Sequence, residues 1–335
     1  MGAATLFSKP LRAGVKVSFI IPLFNRLDLT QACVDSLRAT LPRRLKHEII
    51  LIDDGSTDGT RAWLRTLGPP FRVLLNERNL GYAATNNRGA AAATGEVLAL
   101  VNSDLVLRPG WLPPMLRLLR WHPRAGVVGN LQFNARTGRL DHAGIWIDRK
   151  CKPVHDRLPP LRSPLQRYRR APAVTAACAL VPRQLFLRLG GFDEQFRNGG
   201  EDIDFCFRAR AAGFGVFVAL HSRVLHHVSA SPGRKRHDEF NSRRLALKWT
   251  DEFARLSGGY WCSEHLARHW EDPRDFDRTI ALHSLLFLWG VVDWPPEPAM
   301  IARRTVLAVE EERWTALLGP AESSGPLSPS STPPP

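Results

Sequence analysis

Over its first two-fifths the chain alternates short apolar, β-branched runs with stretches whose apolar residues recur every three or four positions. Val17-Ser18-Phe19-Ile20-Ile21-Pro22 reads as a buried strand. A helix is expected from Asp28 as its N-cap, with Ala32, Cys33, Leu37 and Leu41 on one face. Residues 49–52 form a second strand, ending in the turn-rich Asp54-Gly55-Ser56-Thr57-Asp58-Gly59, and Trp63, Leu64 and Leu67 mark a short helix after it. Residues 71–75 read as a third strand, the alanine-rich 82–94 as a helix and 97–101 as a fourth strand. Pro109-Gly110-Trp111 then leads into a helix through Leu119, and a fifth strand begins at 125–128. Strands alternating with helices at this spacing predict βαβ units and a mainly parallel sheet.

From about Asn134 the pattern loosens. Pro, Arg and His crowd the segment to Ala173, the composition of an irregular surface region. Order returns at 174–181 and in a helix expected over 202–212, and residues 238–318 read as helical. The most apolar late stretch, 280–292, is too short to span a bilayer and is expected as a buried helix. The first sixteen residues lack the apolar core of a signal peptide. The Ser/Pro-rich end is expected to be disordered.

Composition narrows the partners. The chain has 335 residues, 44% of them apolar, and a formal charge of +14, with basic clusters at Arg167, Arg169, Arg170 and at Arg234, Lys235, Arg236. That favours an anionic partner: a phosphorylated substrate, a membrane surface or nucleic acid. The five cysteines are scattered without a close pair, which suggests neither a disulfide framework nor a zinc site and fits a reducing cytoplasm.

Several of the strand-like runs stop on carboxylates: Asp53 and Asp54, then Asn102-Ser103-Asp104. The carboxyl edge of an open α/β sheet is where ligands bind. No Gly-x-x-x-x-Gly-Lys-[Ser/Thr] loop occurs, and no Gly-x-Gly-x-x-Gly follows the first strand, so a nucleotide would be held another way. Pro22-Leu23-Phe24-Asn25-Arg26 can set backbone groups and a ring beside a base, and Asp53 or Asp54 can accept a base N–H or a ribose hydroxyl. Asp54-Gly55-Ser56-Thr57 also reads as a plain turn and helix cap. Asp104 suits a hard divalent cation bridging diphosphate oxygens, or equally a turn. Glu201-Asp202 follows Gly199-Gly200 and opens a helix, where the dipole favours acidic side chains; one could brace a site and the other act as general base. His226-His227 could end a strand and complete a metal shell.

In this order the pieces resemble family 2 glycosyltransferases of the GT-A fold, particularly the bacterial rhamnosyltransferase-like group. They are Val17 to Asn25; Asp53-Asp54-Gly55-Ser56-Thr57-Asp58-Gly59; Asn79-Leu80-Gly81-Tyr82-Ala83-Ala84-Thr85-Asn86-Asn87; Asn102-Ser103-Asp104; Gly190-Gly191-Phe192-Asp193-Glu194 with Glu201-Asp202-Ile203-Asp204 and Arg208; and His226 with Ser231. The resemblance implies an α/β GT-A fold with a helical C-terminal extension: an N-terminal extension at 1–15, a catalytic domain at 16–237 with a nucleotide-binding half (16–133) and an acceptor half (134–237), helices at 238–320 and a tail at 321–335. It implies nucleotide-sugar binding by Pro22, Phe24, Asn25, Asp53, Asp54, Asn79, Gly81, Asn87, Asn102 and Ser103. It further implies Mg²⁺ or Mn²⁺ on Asp104 with His226, and Asp202 as catalytic base beside Glu201. The partners implied are a nucleotide-sugar donor, a saccharide or lipid-linked acceptor and peripheral contact with anionic membrane, with no nucleic acid. Alternatives on the same residues are a metal-dependent nucleotidyltransferase or sugar-nucleotide hydrolase, and a non-catalytic basic binding protein on a degenerate enzyme fold. The sequence departs from the family pattern in two places: Asn102 replaces the first Asp of Asp-x-Asp, and Gly199 replaces an aromatic common two residues before Glu201.

Overall fold

The computed structural model describes residues 14–157, 166–227, 237–271 and 277–320. Most of the N-terminal extension, Ser231, the basic cluster at 234–236 and the Ser/Pro tail lie outside the described residues. The chain divides into two compact units, Met1–Leu245 and Ala246–Pro335.

The first unit is built on one ten-stranded sheet. Its elements in chain order are β1 (Val17–Leu23), α1 (Leu27–Thr40), β2 (His47–Asp53), α2 (Thr60–Leu64), β3 (Phe71–Leu75), α3 (Tyr82–Ala92), β4 (Val97–Val101), β5 (Leu105–Leu107) and α4 (Leu112–Trp121). They continue with β6 (Ala125–Asn134), β7 (Leu140–His142), β8 (Ile145–Ile147), β9 (Pro153–His155), β10 (Tyr168–Arg170), β11 (Cys178–Pro182), α5 (Arg183–Arg188), α6 (Glu201–Ala211), β12 (Gly215–His226) and α7 (Asp238–Lys248). The strand order is β10-β12-β6-β11-β4-β1-β2-β3, with β5 on β12 and β7 on β6. The pairs β4-β1-β2-β3 and β6-β12 are parallel, while β11 and β10 run against their neighbours.

The near-continuous apolar runs of β1, β2 and β4 are buried on both faces, as a parallel strand covered on both sides requires. Phe19, Ile20, Leu51 and Val101 are fully buried, and each such side chain contributes roughly 1.5–3 kcal/mol through lost apolar exposure. Two expectations about α1 fail. Ala32 faces solvent while Thr30, Cys33, Val34 and Leu37 are buried. Asp28 is not the cap. Arg26 holds that position with φ +54, and Asp58 of the β2–α2 turn accepts the Leu27 N–H at 3.1 Å. A carboxylate from a neighbouring turn thus does the capping, leaving Asp28 to pair with Arg26 on the surface.

The stretch 134–173, expected to be irregular, contains β7 to β10. Each is three residues long, too short for its side-chain alternation to register in sequence. Arg169, expected with Arg167 and Arg170 to face an anionic surface, instead turns inward onto Asp156 (2.6 Å) and the Ala143 carbonyl.

The second unit comprises α8 (Thr250–Glu271), α9 (Arg278–Leu288) and α10 (Glu297–Leu318), with Phe253, Cys262, Met300, Leu307 and Trp314 buried. The expectation of a buried helix at 280–292 is corrected. Only Ala281 and Ser284 of α9 are buried, and Leu282, Leu288, Trp289 and Val291 are exposed. A helix apolar on all sides needs partners on all sides, and among the helices of its unit α9 packs chiefly on α8. Among the described residues no helix is long and apolar enough to cross a membrane.

Candidate active site

The carboxyl ends of β1, β2 and β4 and the N-terminus of α6 meet at a cleft of about 510 Å³. Pro22, Phe24, Asp54, Asn79, Asn102, Ser103, Asp104, Glu201 and Asp202 line it, so nine of the residues singled out in the sequence share one cavity. Asn25, Asp53, Gly81, Asn87 and His226 do not line it.

The four of these outside the metal motif act as braces. Asp53 is fully buried; it accepts the Ser56 N–H at 3.2 Å and pairs with Arg61 Nε at 2.6 Å. Asn25 Oδ1 accepts the Thr57 N–H at 2.8 Å, closing one turn on another. Asn87 Nδ2 donates to the Phe192 carbonyl while its Oδ1 accepts the Phe192 N–H, stapling α3 to the 192–194 segment. Gly81, at φ +89, gives its N–H to Asp54 Oδ2 at 3.0 Å. Asp54 Oδ1 also accepts from Leu80 N–H (2.8 Å) and Asn76 Nδ2 (2.7 Å). Of the two carboxylates expected at the nucleoside, Asp53 is held beneath the cleft by Ser56 and Arg61, and Asp54 lines the cleft while holding the loop that carries Asn79 into it. Gly55 completes this packing. Its φ is +83, and a Cβ there would stand 2.7 Å from the Asn79 nitrogen, so only glycine fits.

The Asn102-Ser103-Asp104 segment is set by strand register. Its first residue donates N–H to the Ala177 carbonyl at 2.8 Å. Immediately after it, β5 pairs antiparallel with β12, Leu105 opposite His226. Asp104 is thereby drawn beside the end of β12: its carbonyl accepts the His227 N–H at 3.0 Å, and its Oδ1 lies 3.2 Å from His226 Nε2. Asn102 Oδ1, Asp104 Oδ1 and His226 Nε2 are all buried without a hydrogen-bond partner. An oxygen-rich set of buried, unsatisfied acceptors fits a hard divalent cation. Among the described residues no group of three or more His, Cys, Asp or Glu side chains could hold a metal, so this chain offers an incomplete shell with room for ligand oxygens and water.

Opposite stands the first turn of α6. Gly200, at φ +92, turns the chain so that Glu201 and Asp202 open the helix, where its dipole favours negative charge. The two differ in their surroundings. Glu201 is buried and accepts the Gly199 N–H at 2.7 Å. Asp202 is half-buried, accepts Ile203 N–H at 2.9 Å and Ala176 N–H at 3.1 Å, and faces the cleft. Asp204, one turn inward, is fully buried on Arg208 at 2.8 Å. That guanidinium also donates to the Leu189 and Gly191 carbonyls, locking α6 onto the preceding loop.

Sequence reasoning missed Tyr82, His155, Thr175, Ala177 and Asn198 as lining residues. Tyr82 lay inside a quoted motif, but its partners are backbone atoms and a distant asparagine that no spacing reveals. Desolvation, then the charges of Glu201 and Asp202, hold the Tyr82 phenol well above its ordinary 10, so it stays a donor.

A family model described as Glycosyl transferase family 2 matches residues 18–190. The chain is 34% identical over 277 residues to the O-antigen biosynthesis protein RfbC of Myxococcus xanthus, covering 79% of this chain and 20% of that protein. It is 30% identical over 241 residues to human polypeptide N-acetylgalactosaminyltransferase 16, covering 66% of this chain and 42% of that one. The chain thus spans about a fifth of the one curated relative and about two-fifths of the other. Among solved structures it is similar to GalNAc-T7, crystallised with UDP, GalNAc and Mn²⁺, at a TM-score of 0.59 and 20% identity over 76% of this chain and 52% of that one. That likeness is one of fold.

Proposed function

Because the chain belongs to glycosyl transferase family 2 and has the GT-A fold, we propose that it transfers a sugar from a nucleotide-diphosphate donor to a saccharide or lipid-linked saccharide hydroxyl. The donor is a UDP- or dTDP-sugar, dTDP-rhamnose among them. One observation carries the reading: Asp104, with its unsatisfied buried oxygen, and Asp202, with its open face, line a single cleft together with Pro22 and Phe24. The name of the Myxococcus relative, an O-antigen biosynthesis protein, supports a saccharide acceptor.

The transfer is a single displacement with inversion. Asp202 takes the proton from the acceptor hydroxyl as that oxygen bonds to the anomeric carbon, and the bond from that carbon to the diphosphate breaks with its electron pair leaving on phosphate oxygen. A positioned base of this kind contributes roughly 10²–10⁴-fold. Asp104 and His226, with the Asn102 amide oxygen beside them, would hold Mg²⁺ or Mn²⁺, which when bound would supply Lewis-acid stabilisation of the leaving diphosphate. Mn²⁺ in the GalNAc-T7 crystal supports a divalent cation in this role. Pro22, Phe24 and Asn79 form the nucleoside wall, with Phe24 46% exposed and open to stacking. Glu201 braces Gly199 and leaves proton transfer to Asp202. The reaction runs on the cytoplasmic side, at or near the membrane that carries a lipid-linked acceptor.

The test is a panel of UDP-, dTDP- and GDP-sugars with Mn²⁺ or EDTA, read by nucleoside diphosphate release and by mass analysis for a new glycoside. Turnover is expected only with metal, and Asp202→Asn is expected to abolish it while UDP binding persists. Wild-type turnover in Asp202→Asn would sink the assignment, and free sugar as the sole product with every acceptor would favour a hydrolase.

A further inference from the structure

Tyr82 is the first residue of α3, and both of its polar groups reach segments that frame Asp202. Its backbone N–H donates to Asn198 Oδ1 at 3.0 Å. Its hydroxyl donates to the Ala176 carbonyl at 3.1 Å. Ala176 in turn gives its own N–H to Asp202 Oδ2 at 3.1 Å. Asn198 begins the turn that enters α6; it sits at φ +55, uncommon for a residue with a side chain, and Gly200 at φ +92, which glycine adopts freely. One residue therefore grips the two arms between which the carboxylate stands.

The arrangement continues through the loop just before Tyr82. Asp54 collects the Leu80 and Gly81 amides, which fixes the residues just before Tyr82 and carries Asn79 into the cavity. The Asn102 N–H is held by the Ala177 carbonyl, next to the carbonyl that Tyr82 holds. The loop 175–177 thus receives hydrogen bonds from both the Tyr82 side chain and the metal-motif backbone while donating one to Asp202.

We propose that Tyr82 is a positioning residue for the base, fixing Asp202 through Ala176 and Asn198 and so tying the Asn79–Gly81 loop to the proton-transfer step. The inference rests on Asp202 being the base, as proposed above. The ring itself packs on Phe192, with centroids 6.1 Å apart, so a phenylalanine keeps the packing and removes only the hydroxyl. Small misplacements of a reacting group cost as much as about 100-fold in rate.

The experiment uses the full chain with Mn²⁺ and the most active donor of the panel. Tyr82→Phe is expected to lower kcat for nucleoside diphosphate release by about 10- to 100-fold, with donor KM and UDP affinity within about twofold and the melting temperature lowered only by the few degrees that one lost buried hydrogen bond costs. Asn198→Gly tolerates the positive φ while deleting the second grip, and the same kcat-selective loss is expected. An unchanged kcat in both variants overturns the inference. So does a parallel fall of kcat, UDP affinity and melting temperature, which would make Tyr82 merely structural. Asp202→Asn assayed alongside separates the two readings: turnover retained there overturns the base assignment and this inference with it, whereas turnover lost there with Tyr82→Phe unaffected overturns the inference alone.

Discussion

Asp54→Asn tests whether this carboxylate serves the protein or the nucleotide. Oδ1 accepts from Asn76 Nδ2 and Leu80 N–H, and Oδ2 accepts from Gly81 N–H. An asparagine keeps one acceptor oxygen and turns the other position into a donor. Placed with its oxygen at Oδ1, it retains two bonds and points NH₂ at the Gly81 N–H; the reverse placement loses two. The better orientation therefore loses one charge-assisted bond and sets two donors against each other, a cost of about 2–3 kcal/mol. The remaining two bonds weaken as their acceptor becomes neutral. For a unit of this size that corresponds to a melting temperature lower by roughly 4–12 °C. Calorimetry of the full chain gives the melting temperature, and titration with UDP and Mn²⁺ gives the affinity. The expected result is a clear loss of stability with nucleotide binding weakened alongside it through the displaced Asn79–Gly81 loop. Unchanged melting with UDP affinity abolished would refute the reasoning, because Asp54 would then act on the nucleotide itself.

Two further outcomes follow from buried charge. Asp204→Ala strips the partner from Arg208 and should cost about 3–5 kcal/mol in urea unfolding; a change below about 1 kcal/mol would show that the guanidinium's two carbonyl partners suffice. Burial, followed by the nearby charge of His155, His226 and Arg169, holds buried His142 neutral well below its ordinary 6.5. The unfolded chain takes that proton near pH 6.5 and the folded chain does not, so stability present above pH 6.5 is lost as pH falls below it, by up to about 1.4 kcal/mol per pH unit. Melting curves from pH 7 to pH 5 should show that slope in the wild type and a flatter one in His142→Gln; identical slopes would count against it.

The sheet was legible where strands carry continuous apolar runs. The strands β1 and β4 sit within a residue of their expected positions because burial on both faces leaves a near-continuous apolar signature, and β3, only partly buried, was still marked by its short apolar run. The strands β5 and β7 to β10 were not legible, since three residues hold no period and their pairing depends on partners far along the chain. β12 was read only at its end, Val224-Leu225, because a register irregularity between Ala219 and Arg223 interrupts its alternation. The helix at 278–288 was misplaced in the opposite sense: its apolarity was real, but apolarity states a demand for burial and not whether neighbours supply it.

Within the site, sequence located the carboxylates but could not rank them, because rank depends on what already fills their acceptor sites. Asp53 spends its oxygens on Ser56 and Arg61, and Asp54 on three donors from the loop beside it. Glu201 reaches back to Gly199. Asp202 accepts one N–H on each oxygen; a carboxylate oxygen has two lone pairs, so each keeps capacity for another donor. Asp104 has a buried oxygen with no hydrogen bond. A carboxylate that the fold has saturated builds the wall of a site, and one left short of partners in a cleft has capacity for ligand, metal or proton. Asp104, with an oxygen that has no hydrogen bond, and Asp202, half-buried on the cleft, are the two best placed for the metal and proton roles proposed above. The partners of the others are backbone amides two to 27 residues away together with the side chains of Arg61 and Asn76, and no spacing in the sequence shows that they converge.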